Sequence, residues 1–208
     1  MSSVSATLSV TKGHTMTTPA LPAGSNTINP FLMTDDAARI IEFLIEVFGA
    51  VDVPEARTVD TDGLILHSEL RIGDSMVTVA DRKPDWPFTP GFLQVYVDDV
   101  EGTLERAVAR GARIVTRPTD FFGDTFSRFI DPSGNLWWVY THVPQEQAWD
   151  VGGDEDDATS WGSAGGDEAG SSDSSAEDWS SFSSPELEYI HESLVEAMAS
   201  LRDPRLDR

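Results

Sequence analysis

Between residues 27 and 143, apolar residues recur with two alternating periods, and the switch between them happens twice. DDAARIIEFLIEVFGA (35–50) and DDVEGTLERAVARGA (98–112) carry their large apolar residues at helical spacing. Each opens on Asp-Asp, which suits a helix N-terminus, and each ends on Gly-Ala, with Gly49 and Gly111 fitting C-terminal caps. A short apolar run precedes each helix: NPFLM (29–33) and GFLQVYV (91–97). Runs with strand character follow. They are LILHSELRI (64–72) and SMVTVAD (75–81) after the first helix, and ARIVTR (112–117), FSRFI (126–130) and LWWVYTH (136–142) after the second. The stretch 51–61 supplies the missing strand of the first set, although Pro54 and several acids weaken its signal. The pattern predicts an α+β domain built from a strand–helix–three-strand unit used twice.

Flanking this domain are three other compositions. Residues 1–26 are rich in Ser and Thr and read as a flexible leader. Residues 144–184 form an acidic linker without Lys or Arg, too poor in apolar surface to offset its ordering entropy, and predict disorder. Trp149, Trp161, Trp179 and Phe182 are scattered through it, as in a tether or a short interaction motif. Residues 185–203 recover helical periodicity. Ser184 is the expected N-cap and Pro185 fits the first turn, while Leu187, Ile190, Leu194, Met198 and Leu201 share a face. A helix this short needs a surface to dock on: its own domain, a second copy or a protein partner.

Charge sharpens this division. The chain has 208 residues and a formal net charge of −22. Residues 1–143 account for −8 and the remaining 65 residues for −14. Such an excess disfavours nucleic acid and anionic membranes as partners. No apolar run reaches the roughly 20 residues of a membrane helix, and the leader lacks a signal-peptide core. The absence of cysteine excludes disulfide and thiol chemistry. A cytoplasmic protein is expected, and Met16 offers an alternative start.

The segments DDAARIIEFLIEVFGA, LHSELRIGDSMVTVAD, VYVDDVEGTLERAVARGA and FIDPSGNLWWVYTH, in that order, resemble the vicinal-oxygen-chelate superfamily. This superfamily includes glyoxalase I, extradiol dioxygenases and bleomycin- and fosfomycin-resistance proteins, and the likeness is greatest to its PhnB-like branch. The resemblance covers 28–143. It implies tandem βαβββ modules curled around a cavity, commonly paired across a homodimer, and a divalent metal on the first and last strands of each module. The family's last-strand ligand follows Asp-Pro-x-Gly-Asn after two residues, a position held here by Trp138. Phe92 holds the first-strand seat of the second module, and Thr78 and Pro30 hold those of the first. None suits a divalent ion, which prefers carboxylate, imidazole or thiolate, so no metal and no other cofactor is expected.

Strand alternation then assigns faces. Leu136, Trp138 and Tyr140 are expected to face the cavity, and Trp137, Val139 and Thr141 the helices. Trp138 and Tyr140, with Phe92, Gln94 and Tyr96 across the sheet, form an aromatic wall with one amide, suited to an organic ligand. On LHSELRIG, His67, Glu69 and Arg71 share one face, leaving Leu66, Ser68, Leu70 and Ile72 on the other. His67 would act as a base oriented by Glu69, with Arg71 clamping an anion; the competing reading is a solvated charge ladder. RKPDWPFTP (82–90) joins the modules, with Trp86 and Phe88 packing the junction. TDFFGDTFSR (119–128) reads as a turn-rich rim bearing Asp120, Asp124 and Arg128, and His142 reads as exposed. Three functions follow: a metal-free binder of a small organic molecule, a metal-dependent lyase or dioxygenase using His67 and Glu69, or a scaffold whose acidic tail and terminal helix recruit a protein.

Overall fold

The structure is a computed structural model that describes residues 20–22, 24–144 and 184–207. The expected linker and its aromatic residues lie outside the described residues, as does most of the leader. The first module comprises β1 (Phe31–Thr34), α1 (Ala37–Phe48), β2 (Val51–Val59), β3 (Ile65–Ile72) and β4 (Ser75–Asp81). The second comprises β5 (Phe92–Tyr96), α2 (Val100–Ala109), β6 (Arg113–Phe121), β7 (Asp124–Ile130) and β8 (Leu136–Thr141). Each forms a four-stranded sheet, ordered β1-β4-β3-β2 and β5-β8-β7-β6. In each, the first strand lies parallel to the last while the other pairs are antiparallel. The duplicated βαβββ plan is therefore the fold.

Local chemistry sets the boundaries. The Asp36 side chain accepts from the Arg39 N–H at the start of α1, and Gly49 closes that helix with φ 67°, a left-handed angle that glycine adopts without a Cβ penalty. Asp99 accepts from the Gly102 N–H at the start of α2. Strand β2 forms despite Pro54, and its pairing with β3 slips between Val53 and Thr58. β2 is an edge strand, where a missing N–H and a bulge are tolerated.

The helix-facing sides of both sheets close on a single apolar core. Ile40, Phe43, Leu44 and Val47 of α1 pack with Leu70, Val77 and Val79 of the first sheet, Leu104 and Ala107 of α2, and Phe129, Trp137 and Val139 of the second sheet. Trp137 is only 2% exposed, stacked near Phe129 and Phe48. Its Nε1–H donates to Asp131, which also accepts from the backbone N–H groups of Ser133 and Asn135 and from the Asn135 amide. The Asp-Pro-Ser-Gly-Asn turn is thus wound around a buried carboxylate that anchors the first tryptophan.

Two parts differ from expectation. The segment 119–128 is the tip of a hairpin rather than an irregular rim: β6 runs on to Phe121 and β7 begins at Asp124. Phe122 and Gly123 make a two-residue turn with φ 54° and 91°, the positive angles that such tight hairpins need. The terminal helix α3 (Pro185–Ser200) does start at a Ser184 cap, but it is rotated from its leucine stripe. Ile190, Ser193 and Ala197 are buried, whereas Met198 is 46% exposed. Hydrogen bonds decide the rotation. The hydroxyls of Ser193 and Thr116 lie 2.8 Å apart, and the Arg117 N–H donates to the Tyr189 hydroxyl. Helix α3 therefore docks on β6 of its own domain. Beyond it, Asp203 takes a bidentate grip from Arg82 at 2.6 and 2.8 Å. Arg205 donates to the carbonyls of Arg82, Lys83 and Pro84.

Candidate functional site

With the helix-facing sides sealed in the core, the open face of each sheet carries the remaining chemistry. On β3 the alternation holds: Ser68 and Leu70 are buried on the helix side, so His67, Glu69 and Arg71 stand on the open face. His67 Nε2 lies 3.1 Å from Glu69 Oε1, with both side chains about one-third exposed or more. In register beside them are Val51 and Val53 on β2 and Met76 and Thr78 on β4. A Cβ placed on Gly24 would touch the Arg71 guanidinium, so the chain entering β1 borders this face.

The open face of the second sheet is aromatic. Register places Gln94 beside Trp138 and Tyr96 beside Tyr140. Phe92 meets Trp138 edge-on at 6.1 Å, and Tyr96 lies 5.5 Å from Tyr140. The Gln94 amide donates to the Tyr96 hydroxyl at 2.8 Å. Tyr140 extends the surface to Phe126, at 4.9 Å, and to Phe121. Burial pushes the Tyr140 hydroxyl up, partly opposed by the positive charge of Arg128. Phe92 and Tyr96 remain 52% and 62% exposed, while Trp138 and Tyr140 are half-buried.

The expected residues therefore form two sets on two sheets. Among the described residues, no hydrogen bond, ion pair or ring contact joins His67, Glu69 or Arg71 to the aromatic set. Two cavities of about 890 and 920 Å³ lie elsewhere. The first is on the helix side, where Phe48, Trp137, Val95 and Arg106 meet the β3–β4 turn, and its lining includes Gln94 and Tyr96 of β5. The second lies between β6 and α3. Neither is lined by His67, Trp138 or Tyr140.

Sequence reasoning set Arg128 among rim charges, in contact with a ligand or, as the usual case, solvated, and did not foresee its burial. In the structure Arg128 sits on β7 in register with Trp138, 5% exposed, its guanidinium 4.7 Å from the Phe126 ring centre and 5.4 Å from that of Trp138. The alternation of FSRFI carries the signal: once Phe129 faces the helices, Arg128 must face the other way. Of the two other rim charges, Asp120 is exposed and Asp124 pairs with the exposed His142 at 2.8 Å. Trp86 is 43% exposed, and Phe88 packs against Gly134 and under the Arg82 guanidinium.

The metal seats of the fold hold the wrong donors. Register pairs Thr78 with Phe31 rather than Pro30, Phe92 with Leu136, and Trp138 with Gln94. Together Phe31, Thr78, Phe92 and Trp138 offer one hydroxyl, and divalent ions in such sites want several carboxylate or imidazole donors. Among the described residues, no three His, Cys, Asp or Glu side chains cluster. The residues present do not fit the metal that this architecture usually holds.

The chain is similar to several known proteins. Protein Rv0887c of Mycobacterium tuberculosis is 32% identical over 138 residues, spanning 61% of this chain and 78% of that protein. Protein Mb0911c of Mycobacterium bovis is 32% identical over 122 residues, spanning 53% and 79%. Among solved structures, TioX from Micromonospora sp. ML1 is 25% identical, covering 58% of this chain and 98% of its own, with a TM-score of 0.45. The profile of the Glyoxalase/Bleomycin resistance protein/Dioxygenase superfamily matches residues 24–139. That is more than half of the chain, and the protein belongs to this superfamily.

Proposed function

We propose that the protein binds a small, flat organic molecule on the aromatic open face of its second module, without the divalent metal usual for the architecture. One observation carries the reading: Phe92–Trp138 and Tyr96–Tyr140 are two ring pairs on one face, with Gln94 in register beside Trp138 and its amide bonded to the Tyr96 hydroxyl. Ring stacking supplies affinity there and the amide supplies orientation. Phe31 on β1 is, like Phe92 and Tyr96, more than half exposed, which favours a homodimer in which a second copy covers these edge strands. A cytoplasmic setting fits the charge; no helix among the described residues is long and apolar enough to cross a membrane.

The uncharged fluorophore N-phenyl-1-naphthylamine tests the reading. Saturable binding to the full chain, weakened by Trp138→Ala and by Tyr96→Ala, is expected. Binding that neither substitution changes would remove it.

A second reading, a metal-dependent lyase or dioxygenase, draws on the 3.1 Å His67–Glu69 pair. It requires stoichiometric metal in the purified protein that is lost in His67→Ala and Glu69→Ala. The scaffold reading loses ground because α3 rests on its own β6; capture of a partner by residues 144–208, over a scrambled acidic control, would restore it.

A further inference from the structure

Among the described residues, no carboxylate hydrogen-bonds or pairs with Arg128. Its Nη1–H groups reach the Thr116 hydroxyl at 3.3 Å and the Ile190 carbonyl at 2.7 Å. Its Nε, like that of Arg82, is buried without a hydrogen-bond partner, so the two arginines differ at their terminal nitrogens. Two aromatic rings flank it. A guanidinium is weakly hydrated and recognises planar anions through its fork of donors, but burying it without an anion is costly. The other buried arginine, Arg82, has its anion in Asp203. At Arg128 the corresponding place is taken by a neutral carbonyl of α3, which also accepts from the Ser193 hydroxyl.

Helix α3 is attached in a way that permits release. Ile190 and Ala197 are its buried apolar residues, and neither belongs to the core shared by the two modules. Its polar fixings include bonds to Thr116, Arg117, Arg113 and Arg128, and beyond its end the Asp203 tether and three bonds from Arg205.

We propose that Arg128 is the anion-recognising group of a binding site for an aromatic organic anion on the open face of the second module, and that α3 covers this site until the ligand displaces it. The inference rests on the aromatic face being the binding surface. The ligand's ring stacks against Trp138 and Tyr140, and its carboxylate, sulfonate or phosphate takes the guanidinium from the Ile190 carbonyl. Helix docking and anion binding then oppose each other by the same factor in both directions.

The test uses the full chain and two naphthalene probes, the anionic 8-anilinonaphthalene-1-sulfonate and the uncharged N-phenyl-1-naphthylamine. Ala197→Asp puts a charge under α3 and undocks it while leaving the shared core intact. The sulfonate is expected to bind this variant about tenfold or more tighter than wild type, within the usual range of coupling between two sites. The uncharged probe should change far less. Adding Arg128→Gln should abolish the sulfonate's gain. In the wild-type chain, where no fold is at risk, saturating sulfonate should speed amide hydrogen exchange across 185–200. Sulfonate affinity that Ala197→Asp leaves unchanged, or a gain that survives Arg128→Gln, overturns the proposal. If the uncharged probe binds through Trp138 while the sulfonate gain is absent, the aromatic surface stands and the covered anion site falls. An Arg128-dependent sulfonate gain without any binding of the uncharged probe does the reverse.

Discussion

The open face of the first module carries His67, Glu69 and Arg71 among short apolar neighbours, partly in water. The open face of the second carries Phe126, Arg128, Trp138 and Tyr140, and α3 lies along its β6 edge. The helix-facing sides of the same two sheets differ far less, because both are consumed by one core. The two modules are therefore alike on the face that packing constrains and differ on the other. On the open face one module is polar and the other aromatic.

The sharpest way to break this account is to compare the adjacent tryptophans of β8. Trp137 is buried in the shared core and hydrogen-bonded to Asp131, so Trp137→Ala should cost about 3–5 kcal/mol, the range for deleting a large core aromatic. Trp138→Ala removes a half-buried ring from the open face and should cost less than about 1.5 kcal/mol while weakening probe binding. Urea denaturation of both variants measures the difference. Equal losses would mean that the two faces are not distinct.

The next effect concerns the two buried arginines. Asp203→Ala leaves Arg82, which is 3% exposed, without its anion. The loss should be roughly 1–3 kcal/mol, below that of a fully buried pair because Asp203 is partly solvated. It should appear chiefly as faster amide exchange in α3, since Asp203 and Arg205 fasten the end of the chain to the module junction. The same contact sets a pH dependence. Hydrogen bonding to Arg82 holds the Asp203 carboxyl below its ordinary 3.8. A lowered folded-state value means that the contribution is complete above about 3.8 and is lost as pH falls through the lower value. Helix α3 should stay docked at pH 5 and loosen as the pH drops below 4, with amide NMR shifts of 185–200 as the readout. In Asp203→Asn that acid-dependent step should vanish.

Elements whose periodicity answers to the shared core were legible in the sequence. Both helices, their aspartate caps and the opposed faces of Trp137 and Trp138 follow from spacing and alternation. Where hydrogen bonds or register outweighed apolar spacing, the sequence misled. Helix α3 turned to Ser193 because Thr116 offers a hydroxyl, which no hydrophobic pattern encodes. Arg128 was hidden by the habit of assigning a lone charge beside a turn to solvent; its burial depends on a helix some 60 residues later in the chain. The aromatic set was assembled as expected on one sheet, but the polar trio came to a different sheet, because shared alternation gives each residue a face and not a neighbour across modules.

The smallest effect tests whether the polar face is ornamental for stability. His67 and Glu69 are neighbours on one strand, partly solvated and 3.1 Å apart. An ion pair in water gains little, since screening and side-chain entropy nearly cancel the attraction. His67→Asn should therefore shift the unfolding free energy by no more than about 0.5 kcal/mol. If the first module's open face takes part in ligand binding, across a homodimer or otherwise, the substitution should still alter the affinity of an anionic probe while leaving the urea midpoint in place. A midpoint that moves as far as that of Trp138→Ala would show that the pair belongs to the scaffold, and that the contrast between a structural and an open face fails in the first module.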